Sequence, residues 1–198
     1  MIDMGDYTED AKKIAEKSYD IVSKKIPGNS PKDMILKRAV IATGDFDMKD
    51  LIIFKNDPLK TAINVIKSEC RAYCDVEMIK AGIKRYEVTC VLSGEKEADI
   101  EEKKTRTSAG FYRIRDELKE SIIIIGNAPS AAISVYEMVK DGLKPSLIVA
   151  TPVGFVNAAE SKELIRSLNV PSITTKGTRG GSTLAVAIFN GLIGLARE

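Results

Sequence analysis

Residues 121–130 read SIIIIGNAPS, residues 147–157 read LIVATPVGFVN, and residues 172–182 read SITTKGTRGGS. Each stretch begins as a short apolar run and ends in a loop of small residues that opens a predicted helix. Short, nearly continuous apolar runs are typical of strands in a parallel sheet whose two faces are both covered by helices. Loops that follow parallel strands leave the sheet at one edge, where open α/β folds bind ligands. The three stretches therefore predict both the fold and the position of a site.

The rest of the chain continues this alternation of strands and helices, without a linker or a repeat. Apolar residues at helical spacing predict a first helix over residues 8–26, and Ser30-Pro31 is typical of the start of a second helix that ends at Gly44. Further strands are predicted at residues 51–54, 72–74 and 86–92, and a charged loop at 93–104. Four further helices are predicted: one that begins at Asp57-Pro58, one that Asp75 caps, one over residues 105–119 and one over residues 181–196. The sequence therefore predicts one α/β domain over residues 1–198, in three layers, with a central, mostly parallel sheet flanked by helices.

Composition and charge narrow the class of protein. The chain has 198 residues, of which 44% are hydrophobic and 29% charged, as is ordinary for a globular protein with a sizeable core. A net charge of +2 and the lack of a basic tract argue against nucleic-acid binding. No apolar run approaches membrane-spanning length, and the acidic first ten residues differ from a signal peptide, so we expect a cytoplasmic protein.

The three cysteines predict neither a disulfide framework nor a metal site. Cys70, Cys74 and Cys90 show no C-x-x-C spacing, and the chain contains no histidine, which excludes a Cys/His zinc site. We expect reduced, partly buried thiols. Nothing in the sequence requires a metal, a nucleotide or another cofactor.

Six ordered motifs resemble those of one known family. They are ATGDFD at residues 42–47, DVEMIKAGI at 75–83, RTSAG at 106–110, GNAP at 126–129, PVGFVNAAESKE at 152–163 and GTRGGS at 177–182. Together they resemble the precorrin-8X methylmutase family of corrin (cobalamin) biosynthesis, over essentially the whole chain. The resemblance implies an isomerase that binds a polycarboxylate tetrapyrrole and moves a methyl group between adjacent ring carbons without a redox cofactor. It also implies homodimers whose active sites lie near the subunit boundary.

The glycine-rich loop of residues 177–182 is the first candidate for ligand binding. Backbone N–H groups at the start of a helix attract anions, and the planar fork of Arg179 suits a carboxylate. The alternative is a tight strand-to-helix turn whose glycines supply positive φ angles. The residues alone favour neither interpretation, and the resemblance favours a binding loop.

Other candidates allow similar pairs of interpretations. Arg106 is either an anion ligand or a surface arginine behind a helix cap, and Asn127 either caps a helix or binds a ligand amide or carboxylate. Phe155 either packs on a flat ring or fills the core, and Asp45 and Asp47 either meet the ligand or form a solvated turn. With the positions that the resemblance places at the substrate, the candidate binding residues are Ser18, Thr43, Gly44, Asp45, Arg106, Ser108, Asn127, Gly154, Phe155, Gly177, Arg179, Gly181 and Ser182.

One departure from the family bears directly on activity. The family's catalytic histidine directly precedes the A-T-G-D segment, and this chain has Ile41 at that position. Histidine suits proton donation near neutral pH, whereas an isoleucine side chain cannot donate a proton. A carboxyl group could replace it only if burial raised its pKa. The substitute acids nearest to the motifs are Tyr73, Cys74, Asp45, Asp47 and Asp75.

Three functions follow as hypotheses. The first is a methylmutase that works through a substitute acid. The second is a catalytically inactive homologue that binds or carries a tetrapyrrole. The third is an α/β enzyme that acts on a different anionic substrate in the same pocket, because a fold does not dictate a function.

Overall fold

A computed structural model describes residues 8–93 and 104–197 of the chain, and the elements named below lie within these residues. They are α1 Glu9–Lys25, α2 Pro31–Thr43, α3 Met48–Leu51, β1 Ile52–Lys55, α4 Pro58–Lys67, β2 Ala72–Cys74, α5 Glu77–Gly82, β3 Thr89–Cys90, α6 Arg106–Arg113, β4 Ile122–Ile125, α7 Pro129–Lys140, β5 Leu147–Ala150, α8 Ala158–Ser167, β6 Ser172–Thr175 and α9 Ser182–Arg197. A short 3-10 turn, Arg115–Leu118, joins α6 to β4. None of the described helices is both long and apolar enough to cross a bilayer.

The six strands form one sheet in the order β1-β6-β5-β4-β2-β3. Strands β2 to β6 are parallel, and only β1, at one side of the sheet, runs antiparallel to its neighbour β6, with Ile52 opposite Thr175. The predicted mostly parallel sheet is confirmed. The carboxyl ends of β2 to β6 and the start of β1 share one edge, which we call the carboxyl edge; the opposite edge is the amino edge.

Side chains of the central strands point alternately into two apolar clusters, as the period of two in a strand requires. Ile124 and Val149 join the cluster covered by α1, α2, α4, α5 and α9. Ile123 and Ile148 join the cluster covered by α6, α7 and α8. All residues of β4, β5 and β6 are buried, which confirms the three-layer arrangement expected from their continuous apolar runs.

The second helix begins and ends where the sequence predicts. Ser30 and Asp33 form a capping box, in which the Asp33 amide donates to Ser30 Oγ at 3.2 Å and the Ser30 amide donates to Asp33 Oδ2 at 3.0 Å. At the other end Gly44 takes a left-handed conformation (φ 66°), and its amide donates to the Val40 carbonyl at 2.9 Å. These two caps hold the end of α2, and with it residues 43–45, at the carboxyl edge.

Some predicted boundaries are wrong. The strand expected over residues 86–92 is reduced to β3, because Tyr86 serves packing: its ring meets Phe189 edge-on at 5.6 Å and its hydroxyl donates to the Cys70 carbonyl at 2.5 Å. The helix expected over 105–119 stops at Arg113, before the 3-10 turn. Residue 51, expected in a strand, ends the short helix α3. Most of the charged loop expected at 93–104 lies outside the described residues.

Candidate functional site

Three strand-to-helix loops at the carboxyl edge are hydrogen-bonded into one surface. The Thr151 amide, after β5, donates to the Ile125 carbonyl of β4 at 2.7 Å. The Gly181 amide, after β6, donates to the Thr151 carbonyl at 2.7 Å, and the Gly154 amide donates to the Thr178 carbonyl at 3.1 Å. The motifs that resemble the family in these loops therefore lie side by side.

Glycines allow these backbones to approach one another. A Cβ at position 180 would overlap the Thr151 carbonyl oxygen, so only glycine fits there. Gly177 (φ 65°), Gly181 (φ 120°) and Gly154 (φ 146°) take conformations that other residues rarely adopt. The tight-turn interpretation of the glycine-rich loop thus describes its backbone. The binding interpretation stays open as well. The loop leads directly into α9, which begins at the buried Ser182, and N–H groups at the start of a helix attract anions.

Arg179 joins this surface to the end of α2. Its Nη1 lies 2.9 Å from Asp45 Oδ2 and 3.3 Å from Asp47 Oδ2. Asp45 is itself oriented locally, because its Oδ1 accepts from the Asp47 amide at 2.9 Å and its amide donates to Thr43 Oγ1 at 3.3 Å. The structure thus brings Thr43, Gly44 and Asp45 together with the loop that carries Gly177, Arg179 and Gly181. About half of the Arg179 side chain stays exposed to solvent.

Asp75 does not cap α5, contrary to the prediction from sequence. Val76 holds that N-cap position, with no side-chain hydrogen bond. The fully buried Asp75 carboxylate instead accepts the amides of Gly126 (3.2 Å), Asn127 (2.8 Å) and Ala128 (2.8 Å), and so caps the start of α7 from the neighbouring strand. Burial raises the pKa of Asp75, and the three amide hydrogen bonds oppose that rise.

The same arrangement excludes Asn127 as a helix cap. Ala128 occupies the N-cap position of α7, and Asp75 receives the free amides. The Asn127 residue is exposed at the carboxyl edge. Of its two predicted roles, contact with a ligand is the one that this geometry permits.

Arg106 and Ser108 lie on α6 but in different surroundings. Thr105 caps α6 by accepting the Ser108 amide at 3.3 Å, and its hydroxyl shares a hydrogen bond with Ser130 Oγ at 2.7 Å. The start of α6 therefore lies beside the start of α7, which places the exposed Arg106 at the carboxyl edge. Ser108 is buried, and its hydroxyl shares a 2.5 Å hydrogen bond with Ser134 between the two helices.

Phe155 is 97% exposed, which rules out the core-filling interpretation. It belongs to a set of large apolar side chains that protrude from loops and helix starts at the carboxyl edge. We call this set the apolar rim; its members are Phe46, Met78, Val153, Phe155 and Val156. Exposed apolar residues at the edge where open α/β folds bind ligands make this set a candidate binding surface.

The remaining candidates make their side-chain contacts within α1, in the interior or at the amino edge. Ser18 is half-buried in α1, where its hydroxyl donates to the Ile14 carbonyl at 2.9 Å. The Tyr73 hydroxyl points to the amino edge, where it donates to Glu117 Oε2 at 3.0 Å beside a cavity of about 730 Å³, and burial raises its pKa. Cys74 is fully buried, and the neighbouring Cys90 thiol together with burial raises the pKa of its thiol. Ile41 is half-buried against the apolar core.

Two buried cations that sequence reasoning missed lie one helical turn apart on α8. Lys162 Nζ donates to Thr175 Oγ1 at 3.0 Å and to the Arg179 carbonyl at 2.8 Å. Arg166 Nη1 donates to Thr174 Oγ1 at 2.7 Å and to the Thr175 carbonyl at 3.0 Å. The sequence does carry a signal for these cations. Two adjacent threonines in a buried strand need polar partners, and α8, which connects β5 to the threonine-bearing β6, is placed to supply them.

Comparisons with known proteins agree with the motifs. Residues 13–195 match the family model described as CbiC, precorrin-8X methylmutase. The cobalt-precorrin-8 methylmutase of Methanocaldococcus jannaschii is 41% identical over 207 residues, which cover 98% of this chain and 99% of that protein. The cobalt-precorrin-8 methylmutase of Leptospira interrogans is 34% identical over 98% of both chains. The crystal structure of the precorrin-8X methylmutase from Thermus thermophilus superposes with a TM-score of 0.84 at 32% identity, covering 93% of this chain and 97% of that one.

Proposed function

Because this chain belongs to the precorrin-8X methylmutase family, we propose that it is a methylmutase of cobalamin biosynthesis that acts on a cobalt-precorrin-8-type ring. The observation that carries the proposal is the meeting of the family's motifs around Arg179 at the carboxyl edge. Open α/β folds bind their ligands at this edge. The reaction moves a methyl group within one molecule, so it needs no second substrate.

The types of side chain at the carboxyl edge support binding of a flat polycarboxylate. Arg179 and Arg106 supply planar guanidinium groups, which suit carboxylates. The apolar rim offers Phe155 and its neighbours to a ring face. Because a polycarboxylate ring has an apolar face and a charged periphery, the two kinds of side chain are complementary to its two parts.

Asp45 is the substitute acid that the geometry favours. In the free chain its carboxylate is paired with Arg179. A ring carboxylate that binds Arg179 would displace Asp45 from the ion pair and enclose it between the ring and the edge loops, and in that burial a carboxyl group can hold a proton for donation to the ring. Because the reaction is an isomerisation, the proton must return to the protein or to solvent before the product leaves. Asp75 and Cys74 are fully buried and cannot reach a ring bound at the surface, and three backbone amides already occupy the Asp75 carboxylate. The Tyr73 hydroxyl faces the amino edge, so these three residues suit the role less well.

The test separates binding from turnover. Purified wild type, Asp45→Asn and Asp47→Asn are titrated with hydrogenobyrinic acid, the product that the family resemblance implies, and then assayed for conversion of cobalt-precorrin-8 by absorbance. General acid catalysis is worth roughly 10²–10⁴-fold, so Asp45→Asn should lose about that much turnover and still bind the ring. Asp47→Asn should lose much less, since the Asp47 side chain is far more exposed to solvent than that of Asp45. Equal turnover by Asp45→Asn and wild type would exclude Asp45 as the acid.

A second candidate function is ring binding without turnover, and the observation in its favour is Ile41. Its side chain packs against the core at the position where the resemblance expects the catalytic histidine. If wild type binds hydrogenobyrinic acid without turnover and Ile41→His converts cobalt-precorrin-8, the chain is a carrier. If neither protein binds the ring, the third hypothesis, another anionic substrate, replaces both.

A further inference from the structure

A closed group of three polar atoms lies beneath the loop of residues 176–181. Lys162 Nζ donates to Thr175 Oγ1 at 3.0 Å and to the Arg179 carbonyl at 2.8 Å, and Thr175 Oγ1 donates to the same carbonyl at 2.8 Å. Lys162 is fully buried, whereas Arg179 is exposed. The loop that carries Arg179 is therefore anchored from inside the protein through the backbone of Arg179 itself.

The charges around Lys162 do little to offset the cost of burying an ammonium. On its own helix, Arg166 carries a second positive charge, and Glu163 forms an ion pair with Arg166. On the neighbouring helix α7, Glu137 accepts a hydrogen bond from Tyr112, and Lys140 is exposed. Lys176 and Arg179, which lie in the anchored loop, also carry positive charge, and Asp45 and Asp47 offset that of Arg179. A buried cation in surroundings that disfavour it is typical of a functional role.

We propose that Lys162 is a positioning residue, which holds the Arg179 carbonyl so that the Arg179 guanidinium faces the carboxylates at the carboxyl edge. The part of this inference that concerns a ligand rests on the proposed function, in which the carboxylates that face Arg179 include those of the ring. The anchoring of the loop stands independently of any ligand. Hydrogen bonds from charged donors are about twice as strong as those from neutral ones, so the anchor needs the charged ammonium.

This anchor should respond to pH. Burial, and then the charge of Arg166, lower the pKa of Lys162 to about 8, whereas Glu163 acts in the opposite direction. The ammonium therefore loses its proton just above neutral pH, and its hydrogen bond to the Arg179 carbonyl weakens. In a local opening that moves the Arg179 carbonyl away while Lys162 stays buried beside Thr175, the ammonium loses an acceptor, so deprotonation favours the open loop, and the loop should loosen as pH rises through 8.

The anchor is tested in the free protein by amide hydrogen exchange. The Gly181 and Gly154 amides, which tie the loop to its neighbour, report on loop opening. Lys162→Met should lower the protection factors of both amides by roughly tenfold or more, as expected for the loss of a charged hydrogen bond. Lys140→Met, the same change at an exposed position of α7, should leave both protection factors unchanged. Equal protection in Lys162→Met and wild type would overturn the proposal.

A neutral donor separates anchoring from general packing. Lys162→Gln keeps an N–H donor that can reach the Arg179 carbonyl, so it should restore part of the protection at pH 6.5. Wild-type protection should fall a few-fold between pH 6.5 and 8.5, after correction for intrinsic exchange, while protection in Lys162→Gln should stay constant. A pH dependence that persists in Lys162→Gln would assign the effect to another group and overturn the role of Lys162.

Ring binding distinguishes failure of this inference from failure of the proposed function. If wild type binds hydrogenobyrinic acid, Lys162→Met should bind it about tenfold more weakly at pH 7, in line with the loss of protection. Unchanged affinity in a variant with a loosened loop would contradict the role in positioning Arg179. If wild type does not bind the ring, the proposed function fails, and the exchange experiment still decides whether Lys162 anchors the loop.

Discussion

Asp75 shows how a residue's role depends on neighbours that are distant in sequence. Aspartate just before a predicted helix is typical of an N-cap, and the sequence therefore assigned it to α5. Its carboxylate instead accepts three amides of residues 126–128, more than fifty positions away. Because β2 and β4 are adjacent in the sheet, the first amides of α7 compete with those of α5 for the Asp75 carboxylate. The sequence around Asp75 does not reveal that competition.

Replacement of Asp75 should destabilise the chain. In Asp75→Asn one carboxylate oxygen becomes an NH2 group that faces backbone N–H donors, so buried amides lose an acceptor. We expect the free energy of unfolding to fall by about 1–3 kcal/mol, measured by urea denaturation at pH 7. Asp116→Asn, at an exposed position of the 3-10 turn, is the matched control and should change it by less than about 0.5 kcal/mol. Similar values for the two variants would contradict the cap.

Lys162 should make stability depend on pH. Its pKa is about 8 in the folded chain against 10.5 for an ordinary lysine. Between these values the unfolded chain binds a proton that the folded chain lacks, so the free energy of unfolding rises with pH from 8 to about 10.5. Below pH 8 both states are protonated, and the cost of burying the charge is constant.

The measurement compares wild type with Lys162→Met, in which this titration is absent. Urea denaturation at several pH values from 7 to 10 gives the unfolding free energy of each protein. In the difference between the two proteins, the contributions of all other titrating groups cancel. The difference should rise in favour of wild type by up to about 3 kcal/mol over this range. A difference that is flat with pH would show that Lys162 titrates normally.

At the scale of elements, the sequence predicted the parallel part of the sheet better than its two sides. The buried strands β4 and β5 are continuous apolar runs of four residues, and β6 is a buried strand of four residues that includes two threonines. Each of the three strands is followed by a loop of small residues. The outer strand β3 has only two residues, because the apolar side chains before it pack on α9. Side-chain packing between distant elements decides such a boundary, and an apolar pattern alone cannot distinguish the two outcomes.

Because the edge loops are closely packed, replacing two different glycines with alanine should change the unfolding free energy in opposite directions. Gly180→Ala would force the loop away from the Thr151 carbonyl, so we expect a loss of about 1–3 kcal/mol in unfolding free energy and weaker ring binding. Gly194, inside α9, has nothing within 4 Å of a built Cβ, so Gly194→Ala should stabilise the chain by about 0.5–1 kcal/mol. Urea denaturation of both variants checks these values. Comparable losses would show that the loops tolerate separation.

At the scale of the whole molecule, the sequence does not decide whether the residues of the apolar rim are buried or exposed. Phe155 and Val156 lie in an apolar stretch that could equally have been buried. The structure leaves them exposed, because positive φ angles at Gly154 and Asn157 turn this loop outward from the buried end of β5. The proposed function gives the apolar rim one partner, the face of the bound ring.

Phe155→Ser tests the apolar rim without disturbing the core. Since Phe155 is 97% exposed, the free energy of unfolding should change by less than about 0.5 kcal/mol. The affinity for hydrogenobyrinic acid should weaken by about tenfold. A loss of self-association in sedimentation, with the affinity for the ring unchanged, would instead assign the apolar rim to a second copy of the chain. Phe111→Ala is the contrasting control, because its fully buried ring should cost about 3–5 kcal/mol of stability. Unchanged binding and association in Phe155→Ser would leave the apolar rim without a role.

The pairing of Arg179 with Asp45 and Asp47 has a consequence for how a ring would leave the protein. Under the proposed function, an arriving carboxylate would exchange places with carboxylates that the chain already holds, so the net gain on binding would be the small difference between two similar pairings. On departure of the ring, Asp45 and Asp47 would pair with Arg179 again, and no bare cation would be left behind. Such an exchange would lower the barrier to product release and would favour rapid departure of the ring over tight retention.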